Sequence, residues 1–292
     1  MDPQIAGNWK ELVEPMSETA LQPDVLEIET KSGLFVLKTK DKEDDLQKSL
    51  HLVRAIRREG VPVEVPVETT SGDLYVTHGE RLYCLFKRLV GNPINTGFEG
   101  INCEMFGIAI ARLHVALRKI PVDVVLPEMR FVEGLSWLTG GQQISDFSSD
   151  YPAYLSDTLE KIEALHKETI HRDPHPGNII FEDGKLTGFI DLELSTMGPR
   201  IFDIVYCSTA MLSDLFTGQR DMWRLKIKEI TDGYQSVCLL SDTERSLLIP
   251  TAIYIQQLFT RFYEHQGDAE KSKHNARIGR WLFAHREDLR LL

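Results

Sequence analysis

His171-Arg172-Asp173-Pro174-His175-Pro176-Gly177-Asn178 sets a histidine, an aspartate and an asparagine at fixed spacing, and a second aspartate, Asp191, ends Phe189-Ile190-Asp191. Phosphoryl transfer needs such a set. One carboxylate must accept or orient the proton of the attacking hydroxyl, while an amide oxygen and another carboxylate hold the magnesium that neutralises a polyphosphate. Asp173 suits the first task, and Asn178 and Asp191 the second. Pro, Gly, Asn and Asp are also what plain turns are made of. The flanks argue for more than a turn. Leu165 and Ile170 precede the loop, Ile179-Ile180-Phe181 follow it, Glu182-Asp183-Gly184-Lys185 reads as a hairpin tip, and Leu186 to Ile190 returns as a strand. This predicts that Asp191 comes back beside Asn178.

Other elements must complete a phosphate site. Leu34-Phe35-Val36-Leu37 reads as an apolar strand ending in Lys38, the context in which a lysine serves the phosphates of a nucleotide. A carboxylate from the next helix is expected to pair with it. Leu46, Leu50, Val53 and Ile56 mark that helix, and its candidates are Glu43 and Asp45. Pro15 to Ala20, between strands expected at Glu11-Leu12-Val13 and Val25–Glu29, reads as a glycine-free phosphate-covering loop in which Ser17 and Thr19 supply hydroxyls. Leu74-Tyr75-Val76 and Leu82 to Phe86 read as further strands, and Val61 to Val67 as an extended edge segment. Just after them the backbone of Lys87 and Leu89 is placed to read a base edge.

The chain has 292 residues, 33 Lys plus Arg and 44 Asp plus Glu, for a formal charge of −11. That balance disfavours a nucleic-acid partner, since binding nucleic-acid phosphates calls for clustered positive charge. No apolar run reaches the ~18 residues of a spanning helix, and the first ten residues lack the pattern of a secretory leader. Cys84, Cys103, Cys207 and Cys238 lie far apart, as buried thiols of a reducing cytoplasm would. Residues 1–90 read as a β-rich, nucleotide-binding domain. Residues 91–292 turn helical, with apolar stripes at Phe106–Leu117 and Leu155–Leu165 and further helical stretches at Ile253–Tyr263 and Ile278–His285.

With these residues in place, the chain resembles the aminoglycoside phosphotransferase and choline kinase family. The carriers are His171 to Ile180, Phe189-Ile190-Asp191-Leu192-Glu193 and Gly198-Pro199-Arg200-Ile201-Phe202-Asp203, in that order. The resemblance implies an α+β, bilobal, protein-kinase-like fold with a small antiparallel β-rich lobe and a larger helical lobe. It implies ATP or GTP as donor with Mg²⁺, Asp173 as base, Asn178 and Asp191 as metal ligands, and structural support of the loop from His171 and Asp203. Arg172 and Pro174 depart from the family's usual Gly and Leu. Protein kinases match less well: Leu192-Glu193 follows Asp191, and Asp203 arrives too soon for a long activation loop. The expected acceptor is therefore a small hydroxylated molecule, and the acidic balance is compatible with an amine on it. Asp214, Tyr254, Arg261, Tyr263, Glu264 and Asp268 are candidates to bind it. Two other readings remain. A pseudokinase would bind nucleotide without transfer, and a metal-dependent hydrolase would use His171, Asp173 and His175, although His51, His114 and His166 form no second cluster.

Overall fold

Alternating apolar and polar side chains carry the first part of the chain into strands. The computed structural model describes residues 1–12, 14–120, 125–141 and 147–290. A short helix α1 (Pro3–Ala6) precedes β1 (Pro15–Gln22), β2 (Val25–Thr30) and β3 (Gly33–Lys40), then α2 (Glu43–Arg58), β4 (Val76–His78) and β5 (Arg81–Lys87). The five strands form one antiparallel sheet in the order β1-β2-β3-β5-β4. Each face has its own core. Ile28, Phe35, Leu37 and Leu85 pack with Ile5, Trp9 and Leu12 on one side. Leu82, Cys84 and Phe86 pack against Leu46 and Leu50 of α2 on the other. Each buried aliphatic or aromatic side chain contributes on the order of 1.5–3 kcal/mol.

Several expected elements differ. Lys10–Leu12 is a 3₁₀ turn, not a strand, and Val13 lies outside the described residues. The expected covering loop, Pro15 to Ala20, is strand β1 itself, and the turn falls at Pro23-Asp24. Ladder bonds to β2 hold this segment extended although none of its side chains is buried. Leu74 and Tyr75 precede β4 instead of belonging to it. Val61 to Val67 is extended but meets its neighbours only at single bridges, Val63 with Phe189 and Pro66 with Phe86.

The chain divides into two compact units. One is built chiefly from Met1–Asn92 and Ile180–Glu193. The other takes Pro93–Lys119, Val125–Ile179 and Leu194–Leu292. Asp191 thus shares a unit with Lys38, whereas Asp173 and Asn178 belong to the second. In the first unit Gly91 has φ +103°, and a Cβ there would stand 2.2 Å from the Phe181 carbonyl oxygen, so only glycine allows the chain after β5 this approach.

The remaining helices are α3 (Glu104–Leu117), α4 (Leu135–Thr139), α5 (Tyr151–Glu163), α6 (Ile201–Leu215), α7 (Trp223–Gln235), α8 (Asp242–Ser246), α9 (Leu248–His265) and α10 (Ala269–Ala284). Phe106, Ile110, Leu113 and Leu117 of α3 and Leu155, Leu159 and Ile162 of α5 are buried as their spacing predicts, Leu165 lies beyond the end of α5, and the helices expected at Ile253–Tyr263 and Ile278–His285 fall in α9 and α10. Short strands β6 (Lys167–Ile170) and β9 (Thr196–Pro199) pair with Ile170 opposite Thr196. Strands β7 (Ile179–Glu182) and β8 (Lys185–Phe189) form the expected hairpin. Its tip residues, Asp183 and Gly184, both have positive φ, 49° and 73°, as a two-residue type I′ turn requires. Among the described residues no helix is long and apolar enough to cross a membrane.

Candidate active site

In the first unit, β3 brings Lys38 into a buried ion-pair triad. Its Nζ donates to Glu64 Oε1 at 2.7 Å and to Asp191 Oδ1 at 2.6 Å, and the lysine is only 4% exposed. Glu64 Oε1 also accepts the Asp191 backbone N–H at 2.9 Å, so one carboxylate fixes both the lysine and the turn that presents the aspartate. Burial alone would lower the Lys38 pKa, but the Glu64 and Asp191 charges overcome it and hold the ammonium above its ordinary value. Burial raises Glu64 above the usual carboxylate range against the pull of Lys38. The expected partners from α2 are corrected here. Glu43 bonds Tyr75 and Gln47, and Asp45 pairs with Lys48. The face that α2 turns inward is aliphatic, leaving no carboxylate for Lys38. A signal for Glu64 did exist, since it is the one charge within Val61-Pro62-Val63-Glu64-Val65-Pro66-Val67.

In the second unit, the strand β6 leads into the loop that carries Asp173. Asn178 Nδ2 donates to the Asp173 backbone oxygen at 2.9 Å and to Asp173 Oδ2 at 3.1 Å. His175 caps the short 3₁₀ turn Pro176–Asn178 by accepting the Gly177 N–H on Nδ1 at 3.1 Å. The loop is braced from α6. Asp203 Oδ2 accepts the His171 N–H at 2.8 Å and Oδ1 the Arg172 N–H at 2.9 Å. Behind Asp203 stands His114, whose spacing along the chain shows no link to the loop. His114 on α3 bonds Asp203 Oδ2 through Nε2 and the Tyr234 hydroxyl through Nδ1, each at 2.9 Å and fully buried. Such a chain of buried polar groups rigidifies what it holds.

The profile of the phosphotransferase enzyme family matches residues 14–240. The chain belongs to that family. A homoserine kinase of Polaromonas naphthalenivorans (strain CJ2) is 27% identical over 238 residues, which cover 76% of this chain and 72% of that protein. Among solved structures, a microcompartment-associated aminopropanol kinase superposes with a TM-score of 0.75 at 13% identity, covering 99% of this chain and 98% of the other. An amicoumacin kinase in complex with AMP-PNP and Ca²⁺ gives 0.70 at 15% identity, covering 92% and 88%. The α+β fold is thus the protein-kinase-like one of small-molecule kinases, and this family member is a phosphotransferase.

The other expected site residues of this phosphotransferase fall as follows. Cross-strand register places Thr19 opposite Glu27, Glu27 opposite Val36, and Ser17 opposite Glu29, so Ser17 and Thr19 share the sheet face of Val36 and Lys38. Ser17 Oγ donates to Glu29 Oε2 at 2.9 Å. Lys87 ends β5 opposite Phe35, and Leu89 follows it, half-buried. Of the acceptor candidates, Tyr254 is buried edge-on to Phe131, while Arg261 pairs with Glu264. Tyr263 stacks on Phe259. Asp268 caps α10 and pairs with Lys271 at 3.0 Å, and Asp214 is exposed. Tyr206 of α6 was not anticipated. Its phenol lies next to Asp173, and burial together with that negative charge pushes its pKa up.

Oxygen donors suit a hard cation. In the second unit both Asn178 Nδ2 bonds go to Asp173, and in the first unit the Asp191 side chain is 40% exposed. Among the described residues no group of three His, Cys, Asp or Glu side chains could hold a metal ion. Taken singly, the Asn178 amide oxygen in the second unit and the Asp191 carboxylate in the first are oxygen donors of the kind Mg²⁺ takes.

Proposed function

We propose that this protein transfers the γ-phosphoryl group of ATP or GTP to a hydroxyl of a small molecule, with Asp173 as the base. The observation that carries this reading is the braced loop in which Asn178 holds one oxygen of Asp173 while Asp203 pins the backbone on its N-terminal side. Fixed in this way, Asp173 takes the hydroxyl proton as the acceptor oxygen bonds to the γ-phosphorus and the bond to the nucleoside diphosphate breaks. Lys38 holds the donor phosphates, with Ser17 and Thr19 as hydroxyl donors from β1 and the backbone of Lys87 and Leu89 against the base. Asn178 and Asp191 would hold Mg²⁺, which neutralises charge developing on the phosphates. The four free, buried thiols fit work in a reducing cytoplasm.

The homoserine kinase relatives make a hydroxy amino acid the first acceptor to try. The experiment is mass spectrometry of a pooled hydroxyl-metabolite reaction with ATP and Mg²⁺, followed by Asp173→Asn. Turnover should fall ~10²–10⁴-fold in that variant with nucleotide affinity near normal. ATP binding without transfer to any hydroxyl would instead identify a pseudokinase.

A further inference from the structure

Arg172, immediately before the proposed base, is held where a side chain is costly. Its φ is +71°, a left-handed conformation that glycine adopts freely and other residues adopt under strain. The Asp203 bond to its N–H fixes that backbone. The guanidinium is exposed and forms no ion pair with any described residue, whereas Arg118, Arg200 and Arg261 each have a glutamate. A glycine here would relieve the strain without breaking an ion pair among the described residues, and the exposed guanidinium beside the proposed base is open to a ligand.

We propose that Arg172 binds a carboxylate on the acceptor, making the substrates hydroxy acids. The assignment rests on the phosphotransfer reading for the identity of the reacting hydroxyl. Being sequence neighbours, Arg172 and Asp173 can be spanned by one small molecule, its hydroxyl at Asp173 and its carboxylate at the guanidinium. An arginine offers the bidentate geometry a carboxylate needs. Of the three acidic side chains expected to favour an acceptor cation, Glu264 is tied to Arg261 and Asp268 to Lys271, and Asp214 is exposed.

The test uses acceptor pairs that differ by the carboxylate: homoserine against aminopropanol, serine against ethanolamine, and hydroxybutyrate against propanol. Each pair is assayed for kcat/KM and, with a non-hydrolysable ATP analogue, for binding by calorimetry. The full-length protein is compared with Arg172→Gly, which suits the backbone, and with Arg172→Lys, which keeps the charge. The parent should favour the acid of at least one pair by roughly tenfold to hundredfold, the scale of a charge-assisted pair. Arg172→Gly should bring that ratio near one, and Arg172→Lys should restore part of it. The assignment is overturned if the parent shows no preference, if it neither binds nor phosphorylates any of the acids, or if Arg172→Gly leaves the ratio unchanged. Acid binding lost in Arg172→Gly without transfer in the parent upholds the assignment and overturns phosphotransfer. Transfer with an unchanged ratio does the reverse.

Discussion

His114 on α3 and Asp203 on α6 meet through a 2.9 Å Nε2 to Oδ2 hydrogen bond, both fully buried and 89 positions apart in the chain. The carboxylate that receives this bond is the one that receives the His171 and Arg172 N–H groups. The support of the loop therefore reaches back into the helical core as far as Tyr234.

His114→Phe keeps the bulk and removes both bonds. The buried Asp203 charge then loses a donor, at a cost of about 1–3 kcal/mol or more. Urea unfolding should show that loss, and kcat should fall with little change in nucleotide KM, because the loop is displaced and Lys38 is not. An unchanged kcat would show that Asp203 needs no support from α3.

Glu64 should matter more than any acid of α2. Glu64→Leu breaks a buried ion pair, for which about 3–5 kcal/mol is usual, while Glu64→Gln keeps an acceptor for Lys38 and Asp191 and should cost less. Glu43→Gln and Asp45→Asn, at half-exposed or exposed positions, should lie within about 0.5 kcal/mol of the parent. Nucleotide affinity measured by calorimetry should follow the same order.

The triad also sets an alkaline limit. Lys38 has a folded pKa above its ordinary 10.5. Its stabilisation is therefore fully present below about that value and is lost as pH rises through the folded one, since the native state then binds more protons than the unfolded state. By about pH 11 the loss attributable to Lys38 should be roughly 1 kcal/mol. Urea midpoints across this range should fall less steeply in Lys38→Met than in the parent, and parallel slopes would remove Lys38 from the account.

Asp191 is predicted to link nucleotide binding to the metal. ATP should bind more tightly with Mg²⁺ than with EDTA, and Asp191→Ala should abolish most of that difference while also releasing Lys38 from one of its two carboxylates. Equal affinity with and without Mg²⁺ in the parent would remove Asp191 and Asn178 from the metal role.

Much of this was legible in the chain because it is written locally. The loop from His171 to Asn178, the Asp183-Gly184 hairpin tip and the spacing of Leu46, Leu50, Val53 and Ile56 each encode their structure within a few residues, through turn chemistry or helical period. Strand β1 is not legible in the sequence because its side chains are exposed and its extended form comes from pairing with β2, not from its own pattern. The partner of Lys38 was decided only by tertiary structure. Glu64 lies 26 positions beyond it and Asp191 153, and the helix that was expected to supply the carboxylate turned an aliphatic face inward. Once Glu64 is buried, a partner must exist, because an unpaired buried carboxylate is too costly. Which cation answers it depends on how distant segments pack, as does the meeting of His114 with Asp203, and neither follows from spacing along the chain.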